Sequence, residues 1–154
     1  MTSWFSKVVS DISCIPDCID FYEGELEIGR QDLNLKKKTL EKHGAELPGV
    51  VELRYRQLQE IEATLEHLNI LLTEQRSVTF RKYLEAYNKT LSSRDAEKFT
   101  DGDKDVVNLT LLVNEFALLR NKFLALHKGL DQKGWMLGHI VKLRAAGLDD
   151  AAVD

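Results

Sequence analysis

The chain has 154 residues, enough for one domain with a real core. Hydrophobic residues make up 44% and charged residues 30%, which excludes a disordered chain and a wholly membrane-embedded one. The formal net charge of -4 argues against a strongly basic, non-specific nucleic-acid coat.

The first block, residues 1–29, is acidic. Trp4, Phe5, Val8, Val9 and Ile12 form an apolar stripe at helical spacing. Lys7 and Asp11 interrupt it, so it is too short and too polar for a signal core or a membrane span. It predicts a short helix docked on the domain or on another subunit. Pro16 and Gly24 then predict irregular chain. Cys14 and Cys18 flank Pro16, and no further Cys or nearby His completes a zinc set. They read as two reduced thiols of a cytoplasmic protein.

A helical domain is expected over 30–147. Its first helix spans about Arg30 to His43, and the glycines and proline of 44–49 predict a turn. A short turn between two helices implies an antiparallel hairpin. Leu58, Ile61, Leu65, Leu68 and Leu72 follow in steps of three and four, an a/d seam of coiled-coil type. Arg56, Gln57, Glu60, Glu62 and Glu66 belong on the wet face. With only two prolines in the chain, this helix is free to run from about Val50 to Thr90, roughly 60 Å. Its apolar side needs a cover: the hairpin neighbour, another subunit, or both.

Residues 91–102 read as a polar linker. Asp101 or Asp103 then suits an N-cap, and Asp105 suits the first turn of the next helix. Val106, Leu109, Val113, Phe116 and Phe123 mark its buried face, widened by Leu112, Leu119, Leu126 and Leu130. Trp135, Leu137, Ile140 and Leu143 close it. The tail 148–154 is expected to be disordered. The fold class is therefore all-α: a long antiparallel helical hairpin plus C-terminal helices, assembling into a helical homo-oligomer. Its seam would be Leu58, Ile61, Leu65, Leu68, Leu72, Phe116, Phe123, Trp135 and Ile140.

No pattern supports an enzyme. Asp101-Gly102-Asp103-Lys104-Asp105 opens like a calcium loop, but Val106 and Leu112 stand where that loop needs Gly and Glu. No histidine pair has metal-ligand spacing, and no phosphate loop or nucleophile elbow is present. No cofactor, metal or membrane is implied. The charge distribution is more informative. Arg76, Arg81, Lys82, Lys89, Arg94 and Lys98 outnumber the acids of their region, and Arg120 to Arg144 is similarly basic. Phe80, Tyr83 and Tyr87 interleave with Arg81 and Lys82. Cations that track phosphates, beside aromatics that stack on bases, suit a single strand. An ordinary amphipathic helix with a solvated charged face explains the same pattern.

The run Val78-Thr79-Phe80-Arg81-Lys82-Tyr83-Leu84-Glu85-Ala86-Tyr87 resembles the end of the long helix in phage recombination mediators of the UvsY family. Asp103-Lys104-Asp105-Val106 is similar to the start of that family's next helix. Residues 134–144, Gly-Trp-Met-Leu-Gly-His-Ile-Val-Lys-Leu-Arg, resemble its last helical segment. The likeness covers roughly the second half of the chain. Residues 1–24 have no counterpart, and the long helix is longer here by about four or five turns. The resemblance implies a ring-like homo-oligomer, often a heptamer, in the cytoplasm of a bacteriophage's host. It implies binding of single-stranded DNA coated by single-strand-binding protein, and loading of a RecA-like recombinase. The DNA-contacting positions would fall on Arg81 and Lys82, joined by Arg76, Tyr83 and Lys89. The competing reading is a helical scaffold or virion-assembly protein that binds no nucleic acid.

Overall fold

The computed structural model describes residues 2–85 and 91–148. All regular structure among them is helical. Helix α1 spans Trp4–Ser10, α2 Ile15–Gln31, α3 Leu40–Glu85, α4 Ser93–Gly102 and α5 Lys104–Ala145. A short 3₁₀ turn at Ile12–Cys14 separates α1 from α2. No helix among the described residues is long and apolar enough to cross a membrane.

Local chemistry sets the boundaries. Ser3 caps α1 by accepting from the Ser6 amide at 3.2 Å. Pro16 stands in the first turn of α2, where its missing N–H costs nothing. Thr39 caps α3 by accepting from the Lys42 amide at 3.2 Å. Ser92 caps α4 through the Asp95 amide. The carboxylate of Asp103 accepts from the Asp105 amide at 3.0 Å and starts α5. At the far end, Gly147 adopts φ +77°, and the Leu148 amide reaches back to the Leu143 carbonyl. This is the left-handed C-terminal cap that glycine serves best.

Four sequence expectations are corrected. Residues after Pro16 are not irregular: α2 passes through Gly24 to Gln31. No turn forms at 44–49, so no hairpin is built there; Gly44, Pro48 and Gly49 all lie inside α3. The break comes earlier, at 32–39, where Asn34 Oδ1 accepts from the Lys36 amide and Lys37 takes φ 72°. The polar stretch before α5 is a helix, because Ser92 caps it and Ala96 and Thr100 bury one face. Gln57 is not on the wet face; it is buried. The long helix has 46 residues, about 69 Å, and begins ten residues before the expected Val50. Its expected end at Thr90 and the tail beyond Leu148 lie outside the described residues.

The chain divides into two compact units interleaved in sequence: Met1–Ile19 with Glu60–Arg120, and Asp20–Gln59 with Asn121–Asp154. In the first unit Val8, Ile15, Cys18, Ile61, Leu68, Val106, Phe116 and Leu119 are almost fully buried. The Phe5 amide donates to Glu60 at 3.2 Å, joining α1 to α3. In the second, Tyr22 meets Phe123 edge to face at 5.8 Å, with Leu26, Leu126 and Leu130 also buried. Burial of one such side chain stabilises by about 1.5–3 kcal/mol.

Candidate nucleic-acid interface

The end of α3 carries the residues singled out by charge and spacing. Arg81 and Lys82 are exposed and Tyr83 is half-buried. The Tyr83 ring stacks on Phe99 of α4, with centroids 5.5 Å apart and planes at 24°. Its hydroxyl donates to Asp103 at 3.1 Å. Lys82 lies 4.0 Å from the same carboxylate and 5.4 Å from the Tyr83 ring centroid. Arg76 donates to Asp101 at 2.6 Å. The structure therefore brings Arg76, Lys82 and Tyr83 together with α4 and the first turn of α5. Lys89 and Tyr87 lie outside the described residues.

Asp103 organises this corner. Its partial burial raises its pKa, but the Tyr83 hydroxyl, the Asp105 and Val106 amides and Lys82 outweigh that and hold it below the ordinary carboxylate value. At neutral pH it is an anion that orients Tyr83 and starts α5. Asp101 is not a cap; it is the partner of Arg76. Two acids thus offset two of the expected DNA-contacting cations, and Arg81 and Lys82 remain on the surface.

The sequence pattern does not mark Phe99 as part of this site. It is the lone aromatic of 91–102 and remains 47% exposed beside Tyr83. Its spacing of three from Ala96 is the signal, hidden by the polar composition around it.

The expected oligomer seam divides into two sets. Leu58, Ile61, Leu65, Leu68, Phe116 and Phe123 are buried within the single chain, and Leu72 is half-buried. Those buried positions are covered without a second subunit. Ile140 is half-buried, whereas Trp135 is 67% exposed. Trp135 borders a shallow hollow with Gly134, Gly138, His139 and Lys142. Val107, Leu111 and Leu118 also stand out from α5, at 37%, 61% and 57% exposure. Steps of four and seven put these three on one stripe.

Sequence reasoning missed an interior polar cluster in the second unit. Arg54 is only 3% exposed. Its guanidinium donates to Glu25 at 2.9 Å, to Gln57 at 2.9 Å and to Asp32 at 3.4 Å. Gln57 in turn donates to Glu25 at 2.8 Å. The a/d register run one step back from Leu58 lands on Arg54 and not on the exposed Arg56, but an arginine at that position does not read as interior.

Comparison of the chain with models of known families, with curated proteins and with solved structures finds no match.

Proposed function

We propose that the chain is a recombination mediator. It binds single-stranded DNA at the end of α3 and helps load a RecA-like recombinase onto strands coated by single-strand-binding protein. The observation that carries this reading is exposed Lys82 beside the Tyr83–Phe99 stack, with Arg81 exposed next to it in sequence. Cations hold the backbone, and the half-exposed Phe99 ring beside them offers an aromatic surface for a base to stack on. The resemblance to UvsY-type mediators supplies the biological role, the homo-oligomeric ring and the host cytoplasm.

Fluorescence anisotropy with a labelled oligothymidylate tests the DNA step. Affinity should fall steeply with salt. Arg81→Ala with Lys82→Ala should weaken binding and flatten the slope of log affinity against log salt by about 1.4, at ~0.7 per phosphate lost. Unchanged affinity in the double variant would remove this face from the reading.

The exposed stripe of Val107, Leu111 and Leu118 favours a second reading, a helical assembly protein without nucleic-acid binding. That protein would oligomerise and show no salt-dependent binding to the oligonucleotide. Light scattering with and without DNA separates the two.

A further inference from the structure

The break between α2 and α3 opens a cavity of about 480 Å³ in the second unit. We propose that this cavity binds a phosphate group, carried by a free phosphorylated compound or by a nucleic-acid strand. The site is built from the second unit alone, so it stands independently of the Arg81 face.

Four features converge on it. Lys36, Lys37, Lys38, Arg30 and Lys133 all line the cavity in a chain whose net charge is -4. The opposing carboxylates already have partners. Glu27 is paired with Arg30 at 2.8 Å, Glu46 with Lys38, and Asp32 lies 3.4 Å from Arg54. Against these three carboxylates the five lining cations leave an excess of two positive charges, carried by Lys36, Lys37 and Lys133 with the shared Asp32 set against them.

The second feature is His43. It is 4% exposed, lines the cavity, and its Nε2 has no hydrogen-bond partner. A buried imidazole nitrogen left in this state costs free energy, and a phosphate oxygen would satisfy it as acceptor of an N–H. The third is Lys133, 8% exposed, whose ammonium donates to the Asp32 carbonyl at 2.5 Å. That bond uses one of three donors. Burial holds this ammonium below the ordinary lysine value, against the pull of Asp32 and Glu46. A bound anion would offset that cost.

The fourth is backbone. The cavity lies beside the first turns of the 46-residue α3, lined there by His43, Glu46 and Leu47, with Lys38 just before the helix. The positive end of the helix dipole at that terminus favours a phosphate nearby. The left-handed Lys37 lies on the same wall, in the break before the helix. The volume is ample for a nucleotide-sized ligand.

The probe is inorganic phosphate, titrated into the full chain at constant ionic strength while the His43 ring resonances are followed by NMR. They should shift along a saturable curve that chloride does not reproduce. Lys37 is exposed, so Lys37→Gln should leave helicity intact and weaken phosphate binding roughly tenfold, as loss of one charge-assisted hydrogen bond requires. Lys133→Gln should do the same or more. A His43 response equal in phosphate and chloride would overturn the site, as would an unchanged affinity in both variants. Oligothymidylate lacking terminal phosphates identifies the source. Competition with phosphate at His43 assigns the cavity to a strand; no competition assigns it to a free phosphorylated compound, and either result upholds the phosphate site. Failure of the Arg81 and Lys82 variants to alter DNA binding would leave this titration untouched.

Discussion

Arg54 holds three side chains of the second unit with one guanidinium. Removing it strands Glu25 and Gln57 in a partly buried setting. Arg54→Ala should therefore destabilise the chain by about 3 kcal/mol, the lower end of the cost of breaking a buried pair, since Glu25 and Asp32 keep some access to water. Urea unfolding followed by circular dichroism measures it. Arg56→Ala, four residues from its exposed partner Glu52, should shift stability by less than about 1 kcal/mol. Cys18 makes a second residue-scale prediction. Burial pushes its thiol up from 9.0 to about 12, aided by Cys14 and Glu60. At pH 8.5 its thiolate is rarer by about three powers of ten than that of an ordinary cysteine. Iodoacetamide should label half-buried Cys14 and spare Cys18; both lie in the single tryptic peptide 8–30, so tandem mass spectrometry that fragments between them reads which is labelled. The sign of the linkage follows. A raised folded value means that the neutral thiol's contribution is complete below 9.0 and is lost as pH rises through about 12.

At the scale of the element, the glycines divide by what surrounds them. Gly24 and Gly49 lie inside helices, and a β-carbon added at either would meet nothing within 4 Å. Gly24→Ala and Gly49→Ala should each stabilise by about 0.5–1 kcal/mol, the helix-propensity difference. A carbon added at Gly29 would meet Leu126 Cδ2 at 2.6 Å and Arg54 Nε at 3.0 Å. Overpacking there costs about 1–3 kcal/mol, so Gly29→Ala should destabilise despite the same propensity gain. Thermal unfolding of the three variants gives opposite signs. These positions also show what was legible in the sequence. The a/d run from Leu58 to Leu72 and the stripe from Val106 to Leu130 announced two long helices, because tight apolar periodicity survives any context. The residues 44–49 misled because tertiary packing overrides local propensity there: α3 carries two glycines and a proline that costs about 3 kcal/mol in a helix interior. The true break at 32–39 carries no Pro or Gly; it relies on Asn34 turning the chain and on Lys37 in a left-handed conformation. The basic and aromatic character at Arg81–Tyr83 was readable, whereas Phe99, Asp101 and Asp103 joined it only through folding. The Lys133–His43 cavity was unreadable, since it assembles residues about ninety positions apart.

At the scale of the whole molecule, the proposed assembly has to use surface that the chain leaves open. Leu65 is buried within the first unit, so Leu65→Asp would put a charge into that core and cost the fold itself. It cannot report on subunit contacts. Leu111 and Leu118 can, because each is more than half exposed on α5 and neither is needed to close the core. In the α5 register they lie seven residues apart, with Asn114 between them and Val107 one step before. Neighbouring copies that packed on this stripe would remove roughly 0.8 kcal/mol of unfavourable hydration for each methylene covered. Leu111→Arg with Leu118→Arg should leave helicity and melting temperature near the parent values, because surface substitutions away from packed contacts shift stability by about 0.5 kcal/mol or less. The same variant should lower the mass seen by multi-angle light scattering to that of a smaller species. On the proposed single-strand binding, it should also weaken apparent affinity for long oligonucleotides far more than for short ones. A long strand spans several linked sites and gains by their effective concentration, whereas a short one occupies a single site and is indifferent to assembly. An unchanged mass in the double variant would move the subunit contact to another face, with the exposed Trp135 as the next residue to replace.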